Sequence, residues 1–344
     1  MSESATPPEA DPPRRGCLAS IWFAVRWTLY LLATAWAFGA IYFDGPAHHG
    51  SGNLVLAIAW AVVTLTLLFG LRGPVRRGLA WLTCFLVVLL PWLAIQPSNH
   101  RDWQQEWRQT GWVEIDGDET TFHNFRNFDH ALDGTATERW ESRTVRLSNL
   151  RGVDYFHDAF GGDLLAHPIL SFDFGPDGHV ALSIETRREA GEDYSTFGGL
   201  YKMFELQYLF GDERDFVRVR TNVRREPVYL YRLDIDRERA LELLLDSVAT
   251  QNALKEQPRW YNVFTANCTT SLRAQTPAER RRRFDIRMLA NGKLDELVYE
   301  RGALETGGLS FPELREASLI NEAAEAAHDD PEFSRRIREG RPGF

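Results

Sequence analysis

Apolar residues fill the first quarter of the chain in three stretches and alternate with polar ones through much of the remainder. The stretches are Cys17–Phe43, interrupted by Arg26, then Leu54–Leu71 and Leu79–Ile95. Each is long enough to cross a hydrocarbon core of roughly 30 Å at about 1.5 Å per residue. The second and third carry no charge. Trp22, Tyr42 and Trp92 stand near span ends, where aromatic belts meet headgroups. Three spans, with no small-residue cleavage site after the first, do not fit a cleavable leader.

Downstream the period changes. Residues 98–112, with three tryptophans among charges, read as a link to a globular domain. Alternation predicts strands at Val113–Asp116, Thr121–Phe128 and Glu138–Leu147. The clearest element is a hairpin, Ile169–Phe174 and Val180–Thr186 around Gly175-Pro176-Asp177-Gly178. Proline presets φ there and glycine allows a positive φ. With the register centred on Asp177, Leu170, Phe172, Phe174, Leu182 and Ile184 share one face. His167, Ser171, Asp173, Ser183, Glu185 and Arg187 take the other.

The same pattern predicts a short helix or surface loop at Asp154–Phe160 and an amphipathic helix over Phe197–Phe210. Strands are expected at Phe216–Thr221 and Val228–Leu233. Helices are expected at Arg237–Leu254, from Cys268, over Asn291–Glu300 and over Phe311–Ala327. Pro331–Phe344 reads as a polar tail and the first 13 residues as disordered. The resulting organisation is a cytoplasmic N-terminus (1–16), a three-helix membrane segment (17–97) and an α+β domain (98–344).

Charge orients these parts. Of 48 acidic and 39 basic residues, four acids and six arginines lie in 1–97, leaving 44 acidic and 33 basic residues in 98–344. An excess of eleven acids argues against nucleic acid as a partner. Arg14 and Arg15 precede the first span, and Arg72, Arg76 and Arg77 separate the second from the third. The loop from Asp44 to Asn53 has no arginine or lysine. The positive-inside rule then leaves the N-terminus in the cytoplasm and residues 98–344 across the membrane.

In that compartment Cys268 stands out, as the only cysteine in 98–344. Cys17 opens the first span and Cys84 lies within the third, so neither reaches it. An unpaired cysteine in an oxidising compartment points to a reactive thiol or an intermolecular bridge. An inert buried thiol is the competing reading. Cys268 begins a predicted helix, whose unpaired N–H groups and partial positive charge favour a thiolate.

A thiol nucleophile needs a base within hydrogen-bond reach and a group to orient that base. Among the histidines, His100 abuts the membrane, His179 follows a turn, and His123, His130 and His328 sit in polar stretches. His157 falls in the aromatic loop. His167 differs because it opens a core strand on the face away from the apolar one. Glu185 and Arg187 are its same-face neighbours, and a carboxylate there holds an imidazole tautomer. A salt bridge from Glu185 to Arg187 or Arg188 is the competing reading.

Metal chemistry has little to stand on, without H-x-x-x-H, H-E-x-x-H or paired cysteines. His48-His49 reads as an interfacial turn, and Gly161-Gly162 and Gly198-Gly199 lack the lysine of a phosphate cradle. Asn267-Cys268-Thr269 matches a glycosylation acceptor only formally. The arginines at 280–283 read as a solvated face or a contact for anionic headgroups.

Four blocks carry a family resemblance: FHNFRNF (122–128), HPILSFDF with GHVALSIETRREAGEDYS (167–195), ELQYLFGDERDFVRVRTNVRREPVYLYRL (205–233) and WYNVFTANCTTSL (260–272). They resemble the bacterial Lnb-type periplasmic domain family, over roughly residues 110–340. The family's name refers to lipoprotein N-acylation. Its fold is similar to the permuted papain-like group that includes NlpC-type hydrolases and lecithin:retinol acyltransferase-like enzymes. In that group a strand histidine precedes a helix-start cysteine, the order of His167 and Cys268 here.

The resemblance implies that Cys268 is the nucleophile, His167 the base and Glu185 a candidate third group. Pro168 replaces the threonine frequent after that histidine, which constrains the strand start. The implied protein is an acyltransferase of the bacterial inner membrane with its C-terminal domain in the periplasm. It would move an acyl chain from a phospholipid, through a Cys268 thioester, to the N-terminal amine of a lipoprotein, with no metal or organic cofactor. A thiol hydrolase of lipid esters or cell-wall peptide amides, and a non-catalytic envelope-binding module, are the alternatives. One scaffold hosts more than one of these.

Overall fold

The computed structural model describes residues 17–47, 51–274 and 282–344. The first 13 residues, Arg14, Arg15, the His48-His49 pair and the first two arginines of the 280–283 run lie outside them. Two compact units divide the chain between Ile95 and Gln96.

The first unit holds helices α1 (Cys17–Asp44), α2 (Ser51–Gly70) and α3 (Pro74–Ala94), each long and apolar enough to cross a membrane. Small residues Ala37, Ala40 and Ala57 are buried between them, while Trp22, Leu29, Val55 and Leu79 face outward. Small-residue packing with apolar side chains turned outward suits helices solvated by lipid. Two indoles find partners inside the unit: Trp81 donates to Thr34 Oγ1 at 3.0 Å, and Trp60 to the Cys84 carbonyl at 3.0 Å.

The second unit begins with β1 (Trp112–Asp116), β2 (Glu119–Arg126), the short pair β3 (Asp129–His130) and β4 (Ala136–Thr137), and β5 (Trp140–Arg146). There follow β6 (Gly152–Gly161), β7 (Leu165–Asp173), β8 (His179–Arg187), β9 (Glu205–Gly211), α4 (Glu213–Arg218) and β10 (Val228–Arg232). Helices α5 (Arg237–Glu256), α6 (Cys268–Ala274), α7 (Leu294–Glu300), α8 (Phe311–Ser318), α9 (Asn321–Ala326) and α10 (Phe333–Arg336) complete it. Eight strands form one sheet in the order β1-β2-β9-β8-β7-β6-β10, with β5 also on β2. Its heart is the antiparallel meander β6–β9. The fold is α+β, as expected.

Both faces of the sheet are covered. Leu170, Phe172, Leu182, Ile184, Tyr208 and Phe210 pack with Ala240, Leu244 and Val248 of α5. On the other face Phe156, Ile169, Ala181 and Leu209 pack with Phe216 of α4, Ala324 of α9 and Phe333 of α10. Double coverage explains several departures from the sequence pattern. Asp154–Phe160, expected as a helix or loop, lies within β6, buried from Gly152 to Ala159. Phe197–Phe210, expected to be a helix, holds a single 3-10 turn at Gly198–Leu200 and then β9, buried throughout. Strands solvated on neither face lose the period-two signature, so aromatic runs mimic other elements.

Phe216–Thr221, expected as a strand, is helical, in α4 and a π-helical turn at Val219–Val223. The Asp212 carboxylate caps α4 by accepting the Arg214 N–H at 2.9 Å. The expected helix over Phe311–Ala327 breaks into α8 and α9, because Leu319 bridges to Tyr229 of the sheet. The expected polar tail is structural as well. Phe333 and Ile337 are buried, and Arg338 bonds both Asp154 Oδ2 (2.6 Å) and Glu213 Oε1 (2.5 Å) in the interior. Arg338→Ala should leave buried Glu213 without its cation and Asp154 with Arg232 alone, and cost about 3–5 kcal/mol. The check is a clearly lower midpoint in thermal unfolding of the detergent-solubilised chain; an unchanged midpoint would reject the clamp.

Candidate active site

Hairpin geometry delivers the first two side chains. The observed pairs Ile169↔Ser183 and Leu170↔Leu182 place the centre one residue before the expected Asp177, which slides the partner strand by two positions. An even slip preserves the face, so Glu185 rather than Arg187 comes opposite His167 when the register is continued. The turn needs positive φ at Gly175 (54°) and Gly178 (90°), as the glycines there allow. His167 also pairs with Asp158 of β6, giving a lateral row of Asp158, His167 and Glu185 across three strands.

Within this row His167 Nε2 donates to Ser183 Oγ at 2.6 Å, and the Ser183 hydroxyl donates to Glu185 Oε1 at 2.6 Å. Glu185 Oε1 also lies 3.3 Å from His167 Nε2. Arg220, carried on the π-helical turn, reaches over the row to Asp158 (3.0 Å) and Glu185 (3.3 Å). Cys268 lies close enough to the imidazole to help raise its pKa.

Electrostatics follow from this crowding. Burial alone would push His167 down, but the Glu185 carboxylate and the neighbouring Cys268 outweigh it and raise the imidazole to about 9. Burial would raise Glu185, yet His167 and Arg220 hold its carboxyl well below the usual range. The pair is therefore imidazolium and carboxylate at neutral pH.

Cys268 opens α6 and is buried. Asn267 caps the helix: its Oδ1 accepts the Thr270 N–H (2.7 Å), and its own N–H donates to Thr270 Oγ1 (2.9 Å). Its Nδ2 donates to the Val263 carbonyl, so the formal glycosylation asparagine is spent on folding. Asn291 ties Cys268 to the start of β7. Its Oδ1 accepts the Ala166 N–H (2.9 Å), its Nδ2 donates to the Ala166 carbonyl (2.6 Å), and Nδ2 lies 3.8 Å from Cys268 Sγ. Gly292 permits this approach, since a Cβ there would come within 2.4 Å of the Gly162 carbonyl.

Cys268, His167, Glu185, Arg220 and Asn291 line one cavity of about 380 Å³, a size that suits a small-molecule or acyl group. His130 and His157 are not among its lining. His130, read as part of a polar stretch, is buried and bonded to Asp215 at 2.7 Å. His157, read as lying in a loop, is buried in β6 between the Tyr155 hydroxyl (2.7 Å) and the Gly292 carbonyl (3.1 Å). Burial pushes its pKa down. His123 stacks on Trp112, and His328 bonds Asn222. Asp154, His179 and Glu213 also converge, but Arg338 already sits between the two carboxylates.

Sequence reasoning named Cys268, His167 and Glu185 and missed Ser183, Arg220 and Asn291. Ser183 had a signal, two positions from Glu185 on the same strand face. Arg220 and Asn291 had none, because they arrive from distant segments.

The family model of the Lnb N-terminal periplasmic domain matches residues 136–292. Residues 136–292 belong to this family. The matched segment of the Lnb-type domain runs from β4 to Gly292, so it contains Cys268, His167, Glu185, Ser183, Arg220 and Asn291. The FHNFRNF block falls before it. No curated protein and no solved structure matches this chain.

Proposed function

We propose that this protein is a membrane-anchored cysteine acyltransferase, which moves an acyl chain from a phospholipid to the N-terminal amine of a bacterial lipoprotein. The observation that carries the reading is the hydrogen-bonded row His167–Ser183–Glu185, with His167, Glu185 and Cys268 lining one cavity of about 380 Å³. The arginine asymmetry around the three apolar helices supports a periplasmic site at the inner membrane.

In the first step His167 holds the Cys268 proton and the sulfur attacks the ester carbonyl. The C–O bond breaks, the lysolipid oxygen leaves with the imidazolium proton, and a thioester remains on Cys268. In the second, the lipoprotein α-amine attacks the thioester carbonyl and gives a proton to His167. An amide forms and the thiolate is released. Glu185 and Ser183 keep the imidazole oriented and compensate its charge through both steps. The Asn291 amide, 3.8 Å from the sulfur, is a donor for the tetrahedral oxyanion.

Mass spectrometry of lipoprotein N-terminal peptides tests the reading. Deleting the gene should remove the N-acyl chain from the modified cysteine, and the wild-type chain should restore it. Unchanged N-acylation, or release of free fatty acid without amide, would reject transfer.

A further inference from the structure

The mouth of the catalytic cavity combines features unlike the rest of the domain. Phe160 and Tyr194 line the cavity yet are largely open to water. Leu164, Phe197 and Phe264 are each the chain neighbour of a lining residue, namely Leu165, Thr196 and Val263. Their exposures are 68%, 72% and 58%. These side chains come from three separate segments: the β6–β7 turn, the connection after β8 and the approach to α6. Other exposed apolar side chains, such as Ile115, Leu132 and Leu245, belong to segments that contribute nothing to the cavity.

Two arginines join them. Arg188 and Arg224 line the same cavity, and among the described residues neither forms an ion pair. Arg188 lies over the Trp107 ring at 4.1 Å, and its Nε is buried without a hydrogen-bond partner. The two guanidiniums are close enough to repel one another. Carboxylates act on both at longer range, Glu185, Glu106 and Asp193 on Arg188 and Glu226 on Arg224, without closing an ion pair among the described residues. An anion set against hydrocarbon would satisfy both.

We propose that the rim of this cavity is a docking surface for an anionic lipid bilayer. Phe197, Phe264 and Leu164 enter the boundary between headgroups and acyl chains, while Arg188 and Arg224 take headgroup phosphates. Apolar tips flanked by arginines suit insertion at an anionic membrane interface. The chain also carries three helices long and apolar enough to cross a membrane, which would tether the domain to a bilayer. Docked this way, the cavity opens onto lipid, and an acyl chain enters without crossing water. The surface does not depend on which reaction Cys268 performs.

The test uses the full-length chain with Cys17, Cys84 and Cys268 replaced by serine. Phe197→Cys or Phe264→Cys then carries an environment-sensitive fluorophore, in nanodiscs of phosphatidylcholine with a minority of phosphatidylglycerol. The same label at Ile115→Cys is the reference. Rim probes should emit to the blue and be quenched by lipid-borne nitroxides about twofold or more above the reference, as insertion into the interface requires. Adding Arg188→Gln and Arg224→Gln should reduce that quenching. Rim probes as open to aqueous iodide as the reference, or shielded equally without lipid, would overturn the proposal. These variants lack the nucleophile, so failed docking and a failed acyl-transfer reading are told apart.

Discussion

Cys268→Ser is expected to lower acyl transfer by a factor on the order of 10³ or more while leaving the fold in place. A hydroxyl occupies nearly the space of the thiol, so the packing of α6 against β7 and β8 is preserved. Chemistry is what changes. His167 and the start of α6 stabilise a soft anion that a thiol yields readily, whereas an alcohol holds its proton far more tightly. The measurement is transfer of a labelled acyl chain from phospholipid vesicles to a synthetic lipopeptide, alongside thermal unfolding of the same preparation. Folded Cys268→Ser protein keeping more than about a tenth of wild-type transfer would sink the nucleophile assignment.

His167→Ala should cost about 10²–10⁴ in rate, the span expected for loss of a positioned acid–base group. The pH profile separates this role from simple packing. The imidazole is raised to about 9 by Glu185 and Cys268 against the lowering effect of burial. Transfer that needs the imidazolium as proton donor should persist through neutral pH and fall as pH passes about 9. Glu185→Gln removes a main source of that elevation, so the alkaline limb should move to lower pH. An alkaline limb unmoved by Glu185→Gln would remove Glu185 from its orienting role.

The same pair links pH to stability. A histidine whose folded value is raised contributes fully below its usual value of about 6.5, and loses that contribution as pH climbs through about 9. Glu185, held well below its usual range, contributes above about 4.5 and loses this as pH falls through its depressed folded value. Both contributions are therefore complete between about pH 4.5 and 6.5, and the histidine part fades towards alkaline pH.

Domain family and bilayer surface reinforce each other in this reading. A thiol acyltransferase working on phospholipid needs a cavity that faces lipid. The exposed Phe197, Phe264 and Leu164 border the cavity that contains Cys268.

Local pattern by itself determined the three apolar helices, the β7–β8 hairpin, the long helix α5 and the helix start at Cys268. Spans are written in uninterrupted apolar length, hairpins in turn chemistry and period-two faces, helix starts in capping residues. Each is a short-range property. It also determined the candidate chemistry, because a lone cysteine, a strand-end histidine and a carboxylate on the same face are visible without coordinates.

Only the tertiary structure decided the rest. Coverage of both sheet faces turned 154–160 and 205–211 into buried strands, since such strands lack the alternation that would announce them. The register placed Glu185 rather than Arg187 across from His167, a choice made by packing and turn geometry together. Arg220, Asn291 and Arg338 acquired their roles because folding brought segments tens of residues apart into hydrogen-bond contact. Such contacts depend on long-range burial of polar groups that must find partners, and local periodicity carries no record of them.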